Sequence, residues 1–433
     1  MDSKNPDAGT AIVLHPVLPD SISEVTGGRA IEDVLDEASG LASAINLTIA
    51  DCLAVKVNRP NPATLFGKGA VENAGALISE LKPDIVIIDH TLSPIQQRNL
   101  ENEWGVKVID RTGLILEIFG ARAQTKEGQI QVDLAALEYQ QSRLVRSWTH
   151  LERQRGGTGT TGGPGETQLE IDRRLIRDRI AKLKRELEDV RRTRELQRKG
   201  RERVPYPVVA LVGYTNAGKS TLFNRMTKAK VFAKDLLFAT LDPTLRQIKL
   251  PNGQVVILSD TVGFISNLPT NLIAAFRATL EQVQYADVIL HIRDISRHDT
   301  DAQKDDVIDV LDGLGIEYET DLRIIEVLNK IDRLPEDVHA DISRESRFDD
   351  RKAAVSAITG EGIDTLLNDI VKIVARNRIR HIFSIPPHEG EALAWLYRHA
   401  EVVERRDTDN MIKVDVNIDP ADQGKFEERF GYK

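Results

Sequence analysis

Eight residues, Gly213-Tyr214-Thr215-Asn216-Ala217-Gly218-Lys219-Ser220, constrain this chain more than any other stretch. They follow the apolar run Pro207-Val208-Val209-Ala210-Leu211-Val212 and precede Thr221-Leu222-Phe223-Asn224-Arg225, which reads as the start of a helix. Strand, G-x-x-x-x-G-K-S, helix is the arrangement that cradles phosphate. Its glycines let backbone N–H groups turn around an anion, and the helix start adds partial positive charge. Lys219 is spaced to reach β- and γ-phosphates, and the Ser220 hydroxyl to take one Mg²⁺ position. A loop of this kind belongs to a doubly wound α/β sheet with its ligand at the strand carboxyl ends.

The companions of such a loop follow in order. Asp260-Thr261-Val262-Gly263 closes an apolar strand, so Asp260 is expected in the Mg²⁺ shell through water and the Gly263 N–H at the γ-phosphate. Asn329-Lys330-Ile331-Asp332 closes another. There a carboxylate can accept from both N1 and the exocyclic N2 of guanine, whereas adenine offers neither donor. Sites built on such bonds reject analogues by about 10⁴–10⁵. Val355-Ser356-Ala357-Ile358 fits the loop beside the guanine oxygen, with Ser356, Ala357 and Ile358 as base contacts. Phe238-Ala239-Thr240-Leu241-Asp242-Pro243-Thr244 supplies the threonine that senses Mg²⁺ and the γ-phosphate; Thr240 is preferred and Thr244 held in reserve. Lys219, Thr240 and Gly263 form the expected catalytic set. Phe264 stands where many such enzymes carry a water-orienting glutamine, so unaided hydrolysis should be slow. The missing help could come from a partner, a rearranged loop, or a K⁺ ion held near Asn216.

The chain has 433 residues, 41% hydrophobic and 29% charged, enough for two to four domains. A lone cysteine, Cys52, excludes an internal disulfide, and neither a signal-peptide core nor a membrane-spanning run is present. A cytoplasmic, monomeric protein with no membrane span is expected. Net charge is −9, yet from Arg143 to Arg203 there are 18 Lys+Arg against 10 Asp+Glu, an excess of +8 that leaves −17 for the rest. A basic island in an acidic chain is a local electrostatic footprint.

Residues 1–136 alternate short apolar strands with helical stretches and read as a small α/β domain. Gly67-Lys68-Gly69 in that stretch reads as a tight loop before a helix rather than an anion cradle. Residues 137–203 read as a helical hairpin: Leu144, Trp148 and Leu151 on one arm, and Ile176, Ile180, Leu183, Leu187 and Val190 on the other. The tip, 156–165, is too rich in glycine to be helical. Arg153 and Arg155 stand at its base, with Arg173, Arg174 and Arg177 on the returning helix. Two readings fit: a solvated helix pair, or a basic prong that enters RNA. The nucleotide domain takes 204–377, and 378–433 reads as a small α+β unit of strand, helix, strand, helix.

Taken together, these strings resemble the HflX branch of the Obg–HflX translational GTPases. The likeness rests on the phosphate loop, Phe-Ala-Thr-Leu-Asp-Pro-Thr (238–244), Asp-Thr-Val-Gly-Phe (260–264) and Asn-Lys-Ile-Asp (329–332). It extends to Gly67-Lys68-Gly69, to the run from Ile109 to Leu116, and to Gly163-Pro164-Gly165-Glu166-Thr167-Gln168-Leu169-Glu170. The resemblance implies a GTP/GDP switch with Mg²⁺ that binds the 50S ribosomal subunit and its rRNA through the N-terminal and helical regions. It also implies dissociation of stalled or idle 70S ribosomes, notably under heat stress, with ribosome-stimulated hydrolysis. It favours the RNA-entering hairpin. The tip departs from the family pattern, lacking a basic residue before Gly163-Pro164-Gly165.

Overall fold

The computed structural model describes residues 9–19, 29–154, 164–201, 206–228, 238, 244–266, 283–376, 379–408, 410–418 and 420–432. At the N-terminal end β1 (Thr10–Val17), α1 (Ile31–Ser43), β2 (Thr48–Lys56), α2 (Lys68–Leu81), β3 (Ile85–Ile88), α3 (Pro94–Trp104), β4 (Lys107–Asp110) and α4 (Arg111–Arg122) alternate. The four strands form one parallel sheet in the order β2-β1-β3-β4. Ile12, Leu14, Val86 and Ile88 pack into one helix layer, Ala11, Val13 and Ile87 into the other. Burial on both faces is why these strands are continuously apolar instead of alternating.

Local chemistry starts the helices. Ser93 and Gln96 form a reciprocal capping box at α3, with Pro94 as the first helical residue. Asp110 caps α4 by accepting from the Gly113 N–H at 2.8 Å. The same carboxylate accepts from the Tyr139 hydroxyl, from Arg143 Nη2 at 2.7 Å and from the Leu92 N–H at 3.0 Å. One buried aspartate therefore anchors the long helix α5 (Lys126–Gln154) to the sheet edge. Gly67 precedes α2 and the Lys68 side chain is 91% exposed, which makes that string an ordinary helix start.

α5 and α6 (Pro164–Arg201) make the hairpin. The α6 seam is the expected one: Ile180, Leu183 and Leu187 are buried, flanked by Ile176 and Val190. Its partners on α5 are Ile130, Leu134 and Leu137, upstream of the expected Leu144, Trp148 and Leu151, whose side chains lie outside the described residues. Lys184 and Glu138 bridge the pair at 2.8 Å. Pro164 and Gly165 belong to α6 and not to the tip: proline's missing N–H costs nothing in a first helical turn.

The next sheet runs β10-β9-β8-β5-β7-β6, from β5 (Val208–Gly213), β6 (Thr244–Lys249), β7 (Val255–Asp260), β8 (Val288–Asp294), β9 (Ile324–Asn329) and β10 (Lys352–Val355). All pairs are parallel except β6 with β7. Helices α7 (Lys219–Thr227), α8 (Thr300–Gly313), α9 (Glu336–Glu345) and α10 (Ile363–Arg376) accompany it.

Last come β11 (Ile379–Ile385), α11 (Gly390–His399), β12 (Glu401–Asp407), β13 (Ile412–Ile418) and α12 (Pro420–Phe430), with the sheet antiparallel in the order β11-β13-β12. The expected strand, helix, strand, helix was one strand short. β12 is an edge strand dominated by charge, with Arg405 paired to Asp407 and Arg406 to Glu404, so no apolar alternation marks it.

The N-terminal and nucleotide units share a core. Phe119 of α4 meets Phe238 edge-to-face, centroids 4.7 Å apart, in one apolar cluster with Tyr214, Phe264 and Ile265. Arg297 and Asp33 pair across the same boundary at 3.1 Å. No helix among the described residues is long and apolar enough to cross a membrane.

Candidate nucleotide site

The carboxyl ends of β5, β7, β9 and β10 bring the predicted strings to one edge of the sheet. Lys219, the first residue of α7, is 6% exposed, and its amine donates to Gly213 O at 3.1 Å and Tyr214 O at 2.7 Å. Burial pushes that amine down to about 8, against the attraction of the Asp260 carboxylate. Gly218 adopts φ +97°, and a Cβ there would sit 2.2 Å from Asn329 Nδ2. Only glycine allows the loop to press so closely on the next string. Asn216 is exposed at φ +58°, Thr215 and Ala217 are buried, and Thr221 lies in the first turn of α7.

The Ser220 hydroxyl donates to Asp260 Oδ2 at 2.7 Å. A hydroxyl and a carboxylate side by side are the hard-oxygen pair that Mg²⁺ takes when phosphates and water fill its other positions. Among the described residues no group of three His, Cys, Asp or Glu could by itself hold a metal ion. Thr261 is buried with its hydroxyl on Leu211 O at 2.5 Å, and Val262 is buried beside it. Gly263 lies against the loop: a Cβ there would meet Thr215 Cγ2 at 2.9 Å and Lys219 Nζ at 3.0 Å. Phe264 is 2% exposed, in the shared core, and its backbone bridges to Tyr214. Thr244 opens β6 opposite Asp260. Ala239, Thr240, Leu241 and Asp242 lie outside the described residues.

On the other side, buried Asn329 donates to Ala217 O at 2.8 Å and accepts from the Ala357 N–H at 3.1 Å, joining three loops. Lys330 spans Asn216 O at 2.8 Å and Asp294 Oδ2 at 2.7 Å, and Ile331 is buried beneath it. The Ser356 hydroxyl donates to Asp332 Oδ1 at 2.5 Å, and Ile358 is 61% exposed beside it. A carboxylate oriented by Ser356 in this way can accept two parallel N–H bonds from a flat base.

Sequence reasoning missed several supports. Arg225 of α7 donates to Ile358 O at 3.1 Å and Thr359 O at 2.6 Å, bracing the 356–359 loop, and Asp294 orients Lys330. Glu37 and Arg111 reach the site from the N-terminal unit. No local pattern announces residues that meet only after folding. Of the expected RNA contacts, Arg173 is half-buried and Arg174 and Arg177 are exposed on α6; Arg155 and the Arg153 side chain lie outside the described residues.

Family models match nearly end to end: "GTP-binding GTPase N-terminal" over 32–120, "GTP-binding GTPase Middle Region" over 122–201, "50S ribosome-binding GTPase" over 208–330 and "HflX C-terminal domain" over 341–433. The GTPase HflX of Magnetococcus marinus is 50% identical over 398 residues, 92% of this chain and 91% of that protein. The GTPase HflX of Escherichia coli K12 is 42% identical over 393 residues, 90% of this chain and 89% of its own length. A putative GTP-binding protein 6 of Xenopus laevis is 34% identical over 98% of this chain and 80% of its own. With a doubly wound phosphate-loop domain, the guanine-type string at a strand end and these relatives, the chain belongs to the HflX family of ribosome-binding GTPases and is a GTP hydrolase.

Proposed function

We propose that the chain acts as a cytoplasmic monomer that binds the 50S subunit in its GTP state and promotes dissociation of stalled or idle 70S ribosomes, as under heat stress. The observation that carries this reading is the joining of a guanine-nucleotide site to a basic hairpin, in a family whose nucleotide-domain model is described as 50S ribosome-binding. Arg174 and Arg177 stand exposed on α6, where phosphate oxygens of rRNA can reach them; Arg153, Arg155 and Arg173 complete the proposed contact set.

In the proposed site the phosphates lie on the N–H groups of 213–221, Lys219 meets the β- and γ-phosphates, and the Gly263 N–H meets the γ-phosphate. Asp332 with Ser356, Ala357 and Ile358 takes the guanine. Ser220 and Thr240 would hold Mg²⁺ directly and Asp260 through water. When bound, the ion neutralises charge on the β- and γ-oxygens. Phe264 has no group to orient water, so basal turnover is slow and the ribosome accelerates it. A K⁺ ion beside Asn216 is a second proposed aid, and kcat should then be several-fold higher in K⁺ than in Na⁺ buffer. Equal rates in the two buffers remove the ion from the mechanism.

Sucrose-gradient sedimentation tests the main reading. Protein with a non-hydrolysable GTP analogue should convert 70S particles into subunits, and with GDP it should not. Changing Arg173, Arg174 and Arg177 together to Glu should weaken ribosome binding by about 10²-fold or more, since each lost phosphate contact counts in log affinity. The same variant should keep its intrinsic GTPase rate. A protein that binds 50S particles but leaves 70S intact is an assembly or checkpoint factor, and the splitting role fails.

A further inference from the structure

A closed polar network lies between the N-terminal sheet and the phosphate loop. Glu37 of α1 accepts from the Tyr214 hydroxyl, from Ser266 Oγ at 2.8 Å and from Arg111 Nη2 at 2.5 Å. The Tyr214 hydroxyl in turn accepts from the Ser266 N–H at 2.8 Å. Arg111 Nη2 also donates to Ser266 O and Oγ, both at 3.0 Å, while Nη1 pairs with Asp89, which holds His15 Nδ1 at 2.8 Å. Ser266 is thus gripped through its N–H, its carbonyl and its hydroxyl. Burial works against the Arg111 charge, but the Asp89 and Glu37 carboxylates more than restore it and raise its pKa. Burial and the Glu37 charge both raise the Tyr214 phenol, which stays a donor.

Just upstream, the Phe264 N–H donates to Gly213 O at 3.1 Å and the Thr215 N–H to Phe264 O at 2.7 Å. These bonds lay Gly263 against Lys219, whose amine already donates to Gly213 O and Tyr214 O. A third phosphate needs both that amine and the Gly263 N–H around itself; a diphosphate needs the loop with its amine but not the Gly263 N–H. Phe238 is itself buried on Phe119 of the same N-terminal unit.

We propose that Glu37 and Arg111 are positioning residues of the GTPase: through Tyr214 and Ser266 they hold residues 263–266 on the phosphate loop, and the third phosphate of GTP must release that hold. This rests on the guanine-nucleotide site proposed above. A contact present in one arrangement and absent in the other shifts the balance between their ligands.

The test is equilibrium titration of the full chain with fluorescent GDP and a fluorescent non-hydrolysable GTP analogue. Glu37→Gln and Arg111→Met should each raise the triphosphate-to-diphosphate affinity ratio about fivefold or more, the lower range of ordinary site-to-site coupling, with GDP affinity held within about twofold. Ser266→Ala removes only the shared hydroxyl and should give a shift of about two- to threefold, so the question stays answerable if Arg111→Met does not fold. Asp33→Asn breaks the separate inter-unit pair with Arg297 and should leave the ratio unchanged. An unchanged ratio in the network variants, a shift toward GDP, or an equal shift in Asp33→Asn each overturns the proposal. If the unaltered protein binds neither nucleotide, the site itself fails, which is a different outcome.

Discussion

Lys219→Ala should lose GDP and GTP binding by about 10²–10⁴-fold while the protein stays folded. The amine is the one buried cation in the loop, and its hydrogen bonds to phosphate oxygens are charge-assisted, worth about 1.5–3 kcal/mol each. Two such bonds give about 3–6 kcal/mol, which is the stated range in affinity. The effect on stability is a contest of two terms. Burial that lowers this amine from 10.5 to about 8 penalises the charged form by about 3 kcal/mol, a penalty alanine removes. Against that, Gly213 O and Tyr214 O lose their donor, at about 1–3 kcal/mol for a buried acceptor. With two acceptors affected the terms oppose each other, so the denaturant midpoint should fall by no more than the equivalent of about 3 kcal/mol. Calorimetric titration and urea unfolding of the same preparation separate the two effects. Nucleotide affinity within about tenfold of that of the unaltered protein would mean that phosphate is held elsewhere.

What local sequence could and could not disclose follows from the range of each interaction. The phosphate loop, Asp260–Gly263 and Asn329–Asp332 were legible because backbone geometry and ligand chemistry dictate residue type at fixed short spacing, and each string ends a strand. The α6 heptad was legible for the same reason, but its partner on α5 was not. Ile130, Leu134 and Leu137 pack there because Asp110 pins Tyr139 and Arg143 of α5 to the N-terminal sheet edge, a constraint no helical period carries. β12 was hidden because its side chains pair with one another at an exposed edge. The Glu37–Tyr214–Ser266–Arg111 network was the least legible. Its members lie as many as 229 positions apart, and each alone reads as an ordinary surface or core polar residue. Tyr214 carries the one local hint: it is the single aromatic residue of the 213–220 loop, and its phenol goes to the neighbouring unit.

Asp332→Asn should move base preference from guanine to xanthine, and Ser356 explains why the swap should be clean. The Ser356 hydroxyl donates to Asp332 Oδ1 at 2.5 Å, and the Thr359 N–H in turn donates to Ser356 Oγ at 3.0 Å, which fixes the hydroxyl as a donor toward residue 332. An asparagine there must offer its carbonyl oxygen to that donor and turn its amide NH₂ toward the base. Guanine's exocyclic amine then faces another donor, whereas the carbonyl of xanthine at the same place accepts the bond. Discrimination at sites of this kind runs to about 10⁴–10⁵, so GTP should weaken by a large part of that range while XTP gains. The phosphate side should be indifferent, because Asn329 still spans Ala217 O and the Ala357 N–H, and Lys330 still spans Asn216 O and Asp294. Hydrolysis of XTP by the variant should therefore approach the rate of GTP hydrolysis by the unaltered protein. Adding Ser356→Ala frees the amide to flip and should cut the XTP:GTP preference several-fold. If Asp332→Asn still prefers GTP to XTP in a direct competition titration, the base is not read by this carboxylate and the guanine pocket must be drawn around other residues.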